Sequence, residues 1–196
     1  RVLPFASGTK LADPELTVVA VGGDGDGLGI GAGHLINSAR HNLDLTYILF
    51  NNGVYGLTKG QPAPTLQRGE QTRSITHAAN SGRLNHLALA LAAGYTWNAR
   101  GYSYAVDELA GLIQHSISHP GLALIEVLQP CPTFNDLHTR EWYEAEDTGD
   151  GSPRLYRLAE SDYQGCILPG ATVNDAYSIR QNCYAKVLEW GVHIPI

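Results

Sequence analysis

Two apolar runs rich in β-branched residues, Leu16-Thr-Val-Val-Ala-Val-Gly22 and Leu45-Thr-Tyr-Ile-Leu-Phe50, stand one helix-length apart, and this spacing constrains the fold most. A continuous apolar run closed by a glycine or a turn suits a parallel strand buried on both faces. Between them, from about Gly29 to Arg40, Ile30, His34, Leu35 and Ser38 recur at helical spacing. The reading is one βαβ unit. Such crossovers are right-handed, so the two strands lie parallel and their carboxyl ends open on the same edge of the sheet.

The alternation continues downstream. A leucine-rich helix is expected over Leu84 to Ala93, a short strand over Tyr95 to Arg100, and a helix over Ala105 to His119 with Val106, Leu109, Leu112, Ile113 and Ile117 on one face. Pro120-Gly121 ends that helix, and Leu122 to Leu128 is another buried strand. The pattern predicts an α/β fold with a doubly wound, mostly parallel sheet and a site at its carboxyl edge. From Asn135 onward the chain is more polar and irregular, with Trp142, Tyr143, Tyr156, Tyr163 and Trp190 available for packing. Residues 1–134 are therefore expected to form the α/β domain, and residues 135–196 an appendage packing on that domain or on a partner.

Both strand tips in the βαβ unit carry chemistry. The first runs into Gly23-Asp24-Gly25-Asp26-Gly27 and the second into Asn51-Asn52-Gly53-Val54-Tyr55. Magnesium takes near-octahedral oxygen ligands and is usually held by one or two carboxylates together with phosphate oxygens and water. Asp24 offers a charged oxygen, the Asn52 amide a neutral one, and the Val54 carbonyl a third. Glycines let backbone N–H groups approach phosphates, and a following helix points its positive end the same way. Together these residues read as a site for a magnesium-bound diphosphate. Two other readings stay open. Gly27-Leu-Gly29-Ile-Gly31-Ala32 fits the G-x-G-x-x-A dinucleotide fingerprint, although the second strand ends in Phe50-Asn51-Asn52 without the acid that binds ribose hydroxyls. Alternatively, Gly23 to Gly33 is a tight structural turn in which the aspartates satisfy backbone donors.

The net charge of −6 and the lack of basic clusters argue against a nucleic-acid partner. No apolar run approaches membrane-spanning length, no signal-peptide pattern opens the chain, and a cytosolic location is expected. His34 and His138 lack orienting partners in the sequence and read as structural or surface residues.

The block from Gly23 to Thr65, GDGDGLGIGAGHLINSARHNLDLTYILFNNGVYGLTKGQPAPT, resembles the thiamine-diphosphate-binding β subunit of 2-oxoacid:ferredoxin oxidoreductases. The likeness begins at Arg1-Val-Leu-Pro-Phe-Ala-Ser-Gly8 and runs through Leu128-Gln-Pro-Cys131-Pro-Thr-Phe-Asn135-Asp136 to Leu188-Glu-Trp-Gly191 and Ile194-Pro-Ile196. It implies a sheet of the thiamine-diphosphate-binding type, with Asp24, Asn52 and the Val54 carbonyl on Mg²⁺. Gly25, Asp26, Gly27, Leu57 and Thr58 would meet the diphosphate, and Lys59 would face the carboxylate of the 2-oxo acid. A lysine ammonium is a point charge suited to that task.

The resemblance also implies a heteromeric, oxidatively decarboxylating enzyme that uses coenzyme A and ferredoxin, with an α subunit completing the active site. The Lys59-Gly-Gln-Pro-Ala-Pro-Thr65 loop looks most like the branch using 2-oxoglutarate or several 2-oxo acids, with pyruvate the other class. Cys131 matches the fourth ligand of the family's [4Fe–4S] cluster. The chain has three cysteines, Cys131, Cys166 and Cys183, and no C-x-x-C pair, whereas such a cluster takes four thiolates. The chain opens on arginine, contains no methionine, and stops short of the family's usual tail, so it is expected to be an internal fragment of a longer subunit. A non-redox thiamine-diphosphate-dependent 2-oxo acid decarboxylase and a nucleotide-binding module are the alternatives.

Overall fold

The computed structural model describes all residues, Arg1 to Ile196, and divides into two compact units, Arg1–Arg140 and Glu141–Ile196. The first unit opens with helix α1, Val2–Ala12, which buries Leu3, Ala6 and the stem of Lys10. Strand β1, Val19–Gly23, leads into a short helix α2, Asp24–Leu28, and then α3, Ala32–His41. β2 is Leu45–Asn51, the two-residue strands β3 and β4 are Val54–Tyr55 and Gln61–Pro62, and α4 is His86–Ala93. β5, Trp97–Tyr102, α5, Val106–Ser118, and β6, Leu122–Leu128, complete the main sheet.

That sheet has the order β1-β2-β6-β5 with every neighbouring pair parallel. β6 lies at its centre, and all seven of its residues are buried. In a parallel sheet covered by helices on both faces, strands read as unbroken apolar runs, and β2 and β6 do so. On one face Ile48, Ile125 and Val127 pack with Leu109, Leu112 and Ile113 of α5. The opposite face is covered by α1, α2, α3 and α4, with Tyr47, Leu49, Leu122 and Leu124 beneath them. Fully burying each such aliphatic side chain contributes about 1.5–3 kcal/mol before chain entropy is counted.

Several local expectations need correction. β1 is an edge strand, not a strand buried on both faces: Val19 and Val21 are 40% and 53% exposed, because α5 reaches β2, β5 and β6 but leaves that face of β1 open. The helix expected from Gly29 begins only at Ala32, and Ile30 lies before it, exposed. The strand expected at Tyr95 starts at Trp97, since Tyr95 instead turns its hydroxyl to Ser38 and the Leu35 carbonyl in α3. Val106 opens α5 but faces water.

The second unit holds most of the short helix α6, Arg140–Tyr143, the paired strands β7, Leu155–Tyr156, and β8, Ile194–Pro195, and helix α7, Val173–Leu188. Trp142 meets Tyr143 edge-on with centroids 4.9 Å apart, and the Arg154 guanidinium sits 4.1 Å over the Trp142 ring. Tyr143 and Ile194 are buried, whereas no residue of α7 is. A capping box between Thr172 and Asp175 starts that helix. No helix of the structure is long and apolar enough to cross a membrane.

Candidate cation and diphosphate site

Strand order brings the carboxyl ends of β1, β2 and β6 side by side, and the residues following each tip meet there. Asp24 is the first residue beyond β1. It is 1% exposed, and both carboxylate oxygens are occupied by neutral donors. Oδ1 accepts the Gly25 N–H at 3.0 Å, while Oδ2 accepts the Gly53 N–H at 2.9 Å and the Thr65 hydroxyl in a short contact. Burial disfavours the charged carboxylate, and the three hydrogen bonds only partly offset this, so the Asp24 pKa rises to about 6. No cationic side chain bonds to it.

The asparagine that ends β2 and the one just beyond it make different contacts. Asn51 is buried and donates its Nδ2 to Glu126 Oε1 at 2.7 Å. Asn52 turns outward, and its Oδ1 accepts the Val54 N–H at 3.1 Å across Gly53, whose φ of +77° is left-handed. The antiparallel contact of β3 with β4, together with the Ala63 N–H on the Gly53 carbonyl at 2.9 Å, closes the following loop back on this turn and sets Thr65 against Asp24. Asp24, Asn52 and Val54 therefore share one corner, offering hard oxygen donors with one formal charge. A buried carboxylate that only neutral groups compensate, beside an amide-bearing turn, fits Mg²⁺. No group of three or more His, Cys, Asp or Glu side chains that could hold a metal is present.

The glycines do something the sequence reading did not assign to them. A β-carbon on Gly25 would lie 2.5 Å from the Tyr55 ring, and one on Gly27 would lie 2.3 Å from the Tyr47 hydroxyl. Their freedom from side chains is used for packing α2 onto two tyrosines. The five-residue helix α2 stands between β1 and the helix expected from Gly29, so that longer helix does not follow the strand tip directly. Gly27–Ala32, the dinucleotide-like stretch, spans the end of α2 and the start of α3 rather than the junction from strand to helix that the fingerprint requires.

The other expected site residues are exposed or half-buried. Asp26 is exposed. Leu57 is 99% exposed, and Thr58 and Lys59 are exposed on the same turn, where the Thr58 hydroxyl meets Gln61 at 2.5 Å. Lys59 has φ +74°, a conformation that costs a side-chain-bearing residue about 1–2 kcal/mol. Cys131 is a half-buried free thiol in the loop after β6, and Cys166 and Cys183 belong to the second unit. Three cysteines do not supply the four thiolates of a [4Fe–4S] cluster, so this chain by itself does not fit that group.

Behind the corner lies a buried charge group absent from the sequence reading. Glu126 is fully buried in β6, with Oε2 on Arg100 Nε at 2.6 Å and Oε1 within 3.3 Å of His86 Nε2. Burial pushes its pKa up, but the positive charges of Arg100, His86 and Arg83 outweigh that and hold it near about 2. The His86 pKa falls to about 4, chiefly because burial disfavours the imidazolium. An acid in an otherwise apolar central strand was the one sequence signal for this group. Nothing in the local pattern pointed to Thr65 or to its bond with Asp24.

Comparison with known proteins gives the family. Residues 1–127 match the family described as thiamine pyrophosphate enzyme, C-terminal TPP binding domain. Over its whole length the chain is 47% identical to a 2-oxoacid:ferredoxin oxidoreductase subunit beta from Sulfolobus sp and 46% identical to that of Saccharolobus solfataricus, spanning 61% of each relative. Over 68% of the chain it is 41% identical to half of the 2-oxoglutarate synthase subunit KorB of Archaeoglobus fulgidus. Among solved structures, the 2-oxoglutarate:ferredoxin oxidoreductase from Magnetococcus marinus, with 2-oxoglutarate, coenzyme A and succinyl-CoA bound, superposes with a TM-score of 0.78 at 30% identity, covering 98% of this chain and 59% of that one. The chain thus resembles oxidoreductase β subunits over its full length, and through its TPP-binding domain it belongs to the thiamine pyrophosphate enzyme family.

Proposed function

We propose that this chain is the cofactor-binding part of the β subunit of a 2-oxoacid:ferredoxin oxidoreductase. With an α subunit it would decarboxylate a 2-oxo acid of the 2-oxoglutarate or pyruvate class to the acyl-CoA and pass electrons to ferredoxin, in the cytoplasm. The observation that carries this reading is Asp24: a buried carboxylate at the sheet's carboxyl edge, compensated only by neutral donors, beside the Asn52 turn. Asp24, Asn52 and the Val54 carbonyl would hold Mg²⁺, and Gly25, Asp26, Gly27, Leu57 and Thr58 would border the diphosphate. Thiamine diphosphate, when bound, supplies the carbon nucleophile and electron sink for breaking the bond to the departing carboxylate. The chain's own residues bind and orient. Lys59, held at the tip of an exposed turn, would meet the substrate carboxylate. Cys131 would join a [4Fe–4S] cluster whose other thiolates lie outside this chain.

The test uses the full-length β subunit assembled with its α subunit. Mg²⁺-dependent binding of thiamine diphosphate, lost in Asp24→Asn, is expected. Reduction of ferredoxin should require both a 2-oxo acid and coenzyme A. Decarboxylation that proceeds without either acceptor would instead identify a non-redox decarboxylase, and binding of NAD without thiamine diphosphate would overturn the assignment altogether.

A further inference from the structure

The peptide unit between Asn52 and Gly53 is held at both ends. Its N–H end, on Gly53, donates to Asp24 Oδ2 at 2.9 Å. Its carbonyl end, on Asn52, accepts Asn135 Nδ2 at 2.9 Å, from the loop that follows β6. Because a trans peptide is planar, its C=O and N–H point in opposite directions, and fixing one fixes the other. The restraint is needed here. Gly53 tolerates either sign of φ, so this peptide can turn over with little steric resistance. Turning over would carry the Gly53 N–H away from Asp24 and swing the carbonyl of Asn52 into its place.

Asn135 suits the task. It is 1% exposed, and its Oδ1 accepts the N–H groups of Leu137 at 3.0 Å and His138 at 3.1 Å, which fixes the amide orientation and leaves Nδ2 facing Asn52. Its own N–H donates to the Cys131 carbonyl at 3.0 Å. The same Nδ2 lies 3.4 Å from His138 Nδ1, whose ring reaches Glu70 Oε1 through Nε2 at 3.2 Å. It also stands where a β-carbon on Gly53 would come within 3.0 Å.

We propose that Asn135 is a positioning residue that locks the Asn52–Gly53 peptide in the orientation the cation requires, resting on the reading of this turn as the Mg²⁺–thiamine diphosphate site. Asn135→Asp isolates the effect. It keeps the acceptor for Leu137 and His138 but removes the donor and sets an oxygen against the Asn52 carbonyl. In the assembled enzyme, the Mg²⁺ concentration that half-saturates thiamine diphosphate binding should rise about tenfold or more, the range expected when a buried acceptor loses its donor. Ser74→Ala is the control. The Ser74 hydroxyl ties Gly60 to Phe134 without touching Asn52, so a merely structural role of the loop would move both variants alike, whereas the lock leaves Ser74→Ala at the wild-type value. Should the aspartate variant not fold, Asn135→Ser retains an acceptor oxygen too short to reach Asn52 and is read the same way. Unchanged Mg²⁺ dependence in the Asn135 variant overturns the lock while leaving the cofactor reading intact. A wild-type enzyme that binds no thiamine diphosphate with Mg²⁺ overturns both.

Discussion

Asp24 and Glu126 are both buried carboxylates on one parallel sheet, and their environments push them in opposite directions. Glu126 meets Arg100 and His86 in the interior and is held near a pKa of about 2. Asp24, at the sheet's edge, meets three neutral donors and rises to about 6. The interior acid has a counter-charge within the chain. The edge acid has its geometry fixed but its charge left over, which is the arrangement expected of a group whose counter-ion arrives from outside. Burial is common to the two carboxylates, and the identity of their hydrogen-bond donors sets them apart.

The sharpest way to break this contrast is to neutralise the interior acid. Glu126→Gln takes the anionic charge from between Arg100 and His86 and should destabilise the chain by about 3–5 kcal/mol, read from denaturant unfolding. A loss below about 1 kcal/mol would mean that the Glu126 charge is not what holds this buried group together. The corresponding change at the edge, Asp24→Asn, should abolish Mg²⁺-dependent cofactor binding or weaken it by more than roughly 100-fold, the most that losing a partner outside a metal's ligand shell costs. Titration calorimetry on the assembled enzyme measures it. The same substitution tests the pH behaviour. Because the folded Asp24 binds its proton more tightly than the unfolded chain does, its contribution favours folding at low pH and is lost as pH rises from 3.8 to about 6. Metal-free wild type should thus lose roughly 3 kcal/mol relative to Asp24→Asn across that window, at 1.36 kcal/mol per pKa unit. A flat difference would place the Asp24 carboxyl in contact with water. The smallest effect concerns the exposed turn. Lys59→Gly should gain up to about 1 kcal/mol in stability by relieving the left-handed backbone, while raising the KM for the 2-oxo acid.

Much of this architecture was legible in the sequence because the central strands carry their burial in their composition. Leu45 to Phe50 and Leu122 to Leu128 read as buried strands and are β2 and β6. Asp24 and Asn52 were visible for the same reason: each stands one step past a readable strand, and strand order brings them together. What escaped was held by contacts distant in sequence. α1 contains Pro4 and Gly8, which work against a helix, and it is helical because Leu3 and Ala6 have α3 and the sheet to pack against. Thr65 and Asn135 reach the site from 41 and 83 residues away, with no periodicity to announce them. Lone His86 and Arg100 gave no hint of Glu126 as their common partner.

The Asn52–Gly53 step has a further consequence, for how the chain ages. An asparagine followed by glycine is the dipeptide most prone to lose its side-chain amide, because the glycine nitrogen can attack the asparagine side-chain carbon and close a five-membered ring. In this fold that nitrogen gives its hydrogen to Asp24, and the amide oxygen is held by the Val54 N–H. The bonds that shape the corner also keep the attacking atom turned away. Peptide mapping after long incubation should find Asn52 intact in the folded chain and converted in the unfolded one, so that chemical lifetime here depends on staying folded.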